Sequence, residues 1–95
     1  MRLLGKQWLY DFKEKHADAR SYIESWEAEV EGAAWANPHE LRHKYHGVDT
    51  PGNQQAIFNI CGNKYRLWVQ IEYTQGIVLV KKIGTHKEYE KWLIK

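Results

Sequence analysis

Apolar residues fall three and four positions apart through the first third of the chain and alternate every second position after residue 54, which predicts helices followed by a sheet. Trp8, Leu9 and Phe12 draw one helical stripe over Lys6–His16. Asp18 offers a cap for a second helix, in which Ile23, Trp26 and Val30 continue the stripe to about Gly32. The two helices are expected to form a hairpin. "NPHE" marks a third, short helix, with Asn37 at the cap, Pro38 in the first turn and Glu40 reaching back. "VDTPGN", residues 48–53, reads as a turn-rich connection.

Three strands are predicted beyond it, Gln55–Cys61, Lys64–Tyr73 and Ile77–Ile83. Gly62-Asn63 suits a two-residue hairpin turn, and Gln75-Gly76 gives a weaker signal for a second. With such turns Cys61 faces Lys64, Asn59 faces Arg66 and Ile57 faces Trp68, while Tyr73 faces Val78, Ile71 faces Val80 and Gln70 faces Lys81. One face then gathers Ala56, Phe58, Ile60, Tyr65, Leu67, Val69, Ile71, Tyr73, Val78 and Val80, a surface on which the helices can pack. The other face carries Asn59, Lys64, Arg66, Trp68, Gln70 and Lys81, with Thr85 and His86 arriving at the end where Arg66 sits. "THKE" supplies Thr85 and Glu88 as a capping box for a C-terminal helix with Tyr89, Trp92 and Leu93 on one side.

A chain of 95 residues, 43% hydrophobic and 27% charged, makes one folded domain spanning 1–95 and excludes disorder. The single cysteine, Cys61, cannot form an internal bridge, and no charged-then-apolar leader or long apolar run opens the chain; a cytoplasmic location without membrane contact is expected. The net charge of +2 conceals an asymmetry: residues 1–49 hold seven Lys/Arg against nine Asp/Glu, whereas residues 50–95 hold seven against three. Positive charge concentrated in the sheet half points to an anionic partner such as nucleic acid. A solvated outer face would alternate in the same way, but Arg66 provides a two-pronged fork for phosphate, Lys64 a point charge and Trp68 a ring on which a base can stack.

The run "FNICGNKYRL", a hydrophobic hairpin and then "GTHKEY", all within Phe58–Trp92, resembles the HigB-type toxins of the RelE superfamily. "WANP" at Trp35–Pro38 and the preceding helices extend the resemblance over almost the whole chain. It implies an α+β RelE-like fold, N-terminal helices on a curved antiparallel sheet with a short C-terminal helix. It further implies a ribosome-dependent mRNA endonuclease, neutralised by a cognate helix-turn-helix antitoxin. Such toxins transfer the RNA phosphoryl group to its own 2′-oxygen, leaving a 2′,3′-cyclic phosphate and a 5′-hydroxyl, and require neither metal nor cofactor.

That chemistry needs a base for the 2′-OH, a cation for the phosphate and an acid for the departing 5′-oxygen. Arg66 is the first candidate for the phosphate and His86 for proton transfer, histidine being the side chain whose ordinary titration lies nearest neutrality. Lys81 and Lys64 are electrostatic helpers, Asn59 a group to orient Arg66 or the scissile phosphate, and Tyr89 a stacking or hydrogen-bonding partner. Glu88 is a further proton acceptor as well as a capping residue, and Trp68 serves either packing or base stacking. The chain departs from many members of the family in having Lys81 for arginine, Lys82 for an aromatic residue and Glu90 for aspartate; "YHGVD" at Tyr45–Asp49 also matches imperfectly.

Histidines 39, 43 and 46 raise a metal question, but no carboxylate or thiol stands beside them and no metal site is expected. A nonenzymatic RNA- or ribosome-binding module would use the same basic face without acid–base chemistry. An inert scaffold for the antitoxin would use neither.

Overall fold

The computed structural model describes residues 1–92. Strand β1 (Arg2–Leu4) is followed by α1 (Lys6–Lys15), a 3₁₀ turn (Ala17–Ala19), α2 (Arg20–Glu31) and α3 (Pro38–Lys44). Strands β2 (Asp49–Gly52), β3 (Gln55–Ile60), β4 (Tyr65–Glu72) and β5 (Ile77–Thr85) then lead into a helical turn, α4 (His86–Tyr89). Leu93, assigned to the last helix from sequence, lies outside the described residues.

The architecture is α+β, with an open sheet of order β1-β5-β4-β3-β2. Two of its strands escape the periodicity argument. β1 pairs in parallel with β5, so the sheet is mixed rather than purely antiparallel. β2 occupies part of the segment read as a connection; it tolerates Pro51 because it is an edge strand. Its turn into β3 places Asn53 and Gln54 at φ 52° and 60°.

Leu9 and Phe12 of α1 and Ile23, Trp26 and Val30 of α2 pack with Trp35 and Leu41 on the predicted apolar face. Phe58 lies within this core, its ring edge-on to Trp26 at 5.4 Å and to Tyr45 at 5.0 Å. Gly5 makes the β1–α1 corner possible: it has φ 80°, and a Cβ there would come within 2.8 Å of the Val80 carbonyl oxygen.

Asp18 does not cap α2. Ala19 holds the cap position, and the Asp18 carboxylate instead accepts from the Tyr65 hydroxyl at 2.8 Å and pairs with Lys64. A carboxylate within reach of a phenol and an ammonium is better satisfied there than by backbone N–H groups alone.

The first hairpin has the expected register, Asn59 opposite Arg66 and Ile57 opposite Trp68. The second is displaced by two residues. Its loop spans residues 73–76, closed by Gly76 N–H donating to the Glu72 carbonyl at 2.9 Å, so Ile71 meets Val78 and Gln70 meets Leu79. Lys81 is an extra residue in a bulge between the Val69–Val80 and Trp68–Lys82 pairs. It therefore does not oppose Gln70, and Lys82 stands across from Trp68.

Candidate functional site

Pairing of β4 with β5 sets Arg66 opposite Gly84 and Tyr65 opposite Thr85, so the chain enters α4 beside the polar face. His86 N–H donates to the Lys64 carbonyl at 3.2 Å, fixing the start of α4 to the first hairpin. Gly84 is what lets α4 lie close: a Cβ there would come within 3.0 Å of Glu88 Oε1 and 3.1 Å of the Trp92 ring.

Tyr89 forms the centre of the resulting cluster. The Arg66 guanidinium carbon lies 5.6 Å from its ring centroid. The His86 ring stacks on Tyr89 at 6.1 Å, with 26° between planes. Trp92 meets it edge-on at 5.7 Å and continues to Trp68 at 6.0 Å. Arg66, His86, Trp68 and Tyr89 are thus brought together on the face away from the main core; the strand pattern puts Arg66 and Trp68 there and brings His86 to its end, whereas the place of Tyr89 comes from the packing of α4.

Arg66 is half-buried and donates from Nη1 to the carbonyls of Asn63 at 2.9 Å and Tyr65 at 3.3 Å. Its remaining nitrogens make no hydrogen bond among the described residues. The carbonyls hold the plane of the fork while leaving donors for an anion. His86 is exposed, and Lys81 and Lys82 are exposed on β5.

Other predicted site residues are engaged elsewhere. Lys64 pairs with Asp18; the hydrogen bond to Asp18 raises the Lys64 pKa, and the bonds from Lys64 and then Tyr65 hold the Asp18 carboxyl below the usual range. Its charge is therefore already balanced. Asn59 stands opposite Arg66 in register, but its Nδ2 donates to the Gly47 carbonyl at 3.2 Å. Trp68 Nε1 donates to Gln55 Oε1 at 2.7 Å, which ties the indole into the sheet.

Glu88 completes the capping box: Oε1 accepts from Thr85 N–H at 2.8 Å, and Thr85 Oγ1 accepts from Glu88 N–H at 3.1 Å. The Thr85 backbone bond holds its carboxyl below the usual range, with a smaller contribution from His16. At neutral pH it is an ionised acceptor.

Sequence reasoning missed three participants. Trp92 was assigned to a helical stripe, although it covers the polar face against Trp68. Lys82 falls on the core face in the predicted register and reaches the polar face only through the bulge at Lys81. His16 stacks on Phe12 at 4.1 Å and reaches Tyr65 at 5.1 Å; its position four residues after Phe12 on the same stripe was the available signal. The His39 and His43 rings lie 5.6 Å apart, and among the described residues no group of three or more His, Cys, Asp and Glu could hold a metal ion.

Helices on one side of an open five-stranded mixed sheet, with a short C-terminal helix on the other, form a RelE-like α+β fold. The chain belongs to the HigB_toxin family, the RelE-like toxic component of a toxin–antitoxin system, whose model matches residues 19–92. Membership implies an antitoxin partner. No curated protein matches the chain. No helix among the described residues is long and apolar enough to cross a membrane.

Proposed function

We propose that this toxin is an endoribonuclease that cleaves mRNA on the ribosome, and that its antitoxin carries a helix-turn-helix domain. The observation that carries the reading is the placement of Arg66 and His86 against one ring, Tyr89, on a face bordered by Lys81 and Lys82. The guanidinium grips the scissile phosphate while the His86 imidazole takes the 2′-OH proton. The 2′-oxygen bonds to phosphorus, the bond to the 5′-oxygen breaks, and a cationic group of the face delivers the proton that departs with it. Tyr89 orients both reacting groups. Glu88, held by Thr85, positions α4. Lys64, Asn59 and Trp68 act by shaping the sheet and loops around the substrate.

The test is induction of the toxin in cells, with sequencing of transcript ends. Growth arrest accompanied by new 5′-hydroxyl and 2′,3′-cyclic phosphate ends within translated regions is the expected result. Arrest with RNA binding that weakens as salt rises, but without new ends, would instead establish a binding module.

A further inference from the structure

We infer that the groove between the β2 edge and α4 is a nucleobase subsite that reads adjacent N–H donors, with guanine as its best occupant. The inference rests on the reading of the chain as an RNA-cleaving toxin and names the specificity of that same face.

The groove has a volume of about 310 Å³ and is lined by Asp49, Pro51, Ile57, Tyr89, Glu90 and Trp92. Ile57 is 3% exposed although it belongs to the polar face, so it contributes an apolar surface. Tyr89 and Trp92 supply two aromatic surfaces 88° apart. A flat, weakly hydrated ring fits such a lining, whereas a phosphate does not. Tyr89 is also the ring shared by Arg66 and His86, so the groove is continuous with the place where the scissile phosphate would lie.

Among the described residues that line this groove, the charged side chains are two carboxylates and none is a cation. Asp49 stands directly opposite Ile57 in the β2–β3 ladder. Among the described residues neither the Asp49 nor the Glu90 carboxylate has a hydrogen-bond or ion-pair partner. An ionised carboxylate only accepts, and its two oxygens match two parallel N–H donors. Guanine presents such a pair, N1–H beside the N2 amino group. Adenine and cytosine present an amino group beside a ring-nitrogen acceptor that the second oxygen repels, and uracil presents one N–H between two carbonyls. Electrostatics therefore keep the backbone out of this groove and select among bases.

The experiment measures binding of short RNAs, 2′-O-methylated throughout so that 2′ attack is blocked, carrying one guanine, inosine or adenine in a uridine background. Fluorescence anisotropy of the full chain should give roughly tenfold tighter binding for guanine than for adenine, as one well-aligned two-bond pair provides. Inosine, which keeps N1–H and lacks the amino group, should fall between them. Asp49→Asn with Glu90→Gln, folded by its melting curve, should bind the three alike. Equal affinities for the unaltered toxin, or a guanine preference that survives in the double variant, would overturn the subsite. Cleavage read separately distinguishes the two levels: guanine preference without transcript cleavage removes the nuclease reading alone, and cleavage without base preference removes the subsite alone.

Discussion

If Arg66 grips the phosphate as proposed, its replacement should cost far more in cleavage than in folding. In Arg66→Ala the fold loses two bonds to backbone carbonyls and a guanidinium–ring contact at 5.6 Å. Carbonyls at a half-exposed site exchange such bonds for water at a net cost of about 1 kcal/mol. The ring contact contributes about 0.5–1 kcal/mol. In a domain of this size each kcal/mol moves Tm by about 4–8 °C, so the variant should melt roughly 10 °C lower and remain folded at working temperature. Removing a preorganised donor from a developing oxyanion, by contrast, costs about 10²–10³ in turnover, about 2.7–4 kcal/mol. Arg66→Lys keeps the charge and loses the fork, and should fall between, at about a tenfold loss. The assay is cleavage of mRNA on programmed ribosomes, with a melting curve for each variant. A folded Arg66→Ala protein that cleaves within threefold of the unaltered toxin would refute the assignment of this residue to the phosphate.

His86→Ala should abolish cleavage while leaving the melting curve nearly unchanged, because the side chain is exposed; unaltered cleavage would remove it from the site. Lys13 is buried, with Nζ 3.1 Å from Glu27 and 3.6 Å from Glu24, so Lys13→Ala should cost about 3 kcal/mol in denaturant unfolding. Lys13→Met with Glu27→Leu should restore most of that loss, and a double variant no more stable than the single one would contradict the account. The Glu88 carboxyl is held below its ordinary value, so its contribution is complete above about pH 4.3 and is lost as pH falls through the depressed value. NMR of the Thr85 amide should show α4 intact at neutral pH and loosening only on acidification, and Glu88→Gln should remove that dependence. Gly84→Val should push Glu88 and Trp92 off the sheet, which unchanged ring-current shifts between Trp68 and Trp92 would disprove.

The elements that carry regular periodicity were legible. α1 and α2 declare themselves through Leu9, Phe12, Ile23 and Trp26, and the β3–β4 register follows from Gly62-Asn63 together with strict alternation in β4. β1 is three residues long and pairs in parallel, which leaves too little pattern to read, and Pro51 and Gly52 disguise β2. The second hairpin misled because Gln75-Gly76 belongs to a four-residue loop, an error that carried Lys81 to the wrong partner. In the site, Arg66 and His86 follow from the strand's phase and the "GTHKEY" turn. The roof over them does not, since it depends on where α4 settles. "QAIFNI" held a hint: apolar residues at 56, 57 and 58 break alternation, as a strand covered on both sides would.

The bulge at Lys81 acts as a phase shifter for the end of the chain. Counting one extra residue there is what returns Ile83 to the interior and turns Gly84 toward α4. Drawing Lys81 into the ladder opposite Trp68, with no bulge, would exchange the environments of every side chain from 82 to 85, exposing an isoleucine and carrying α4 to the wrong side. One residue without a cross-strand partner thus sets the phase in which the strand hands over to the last helical turn.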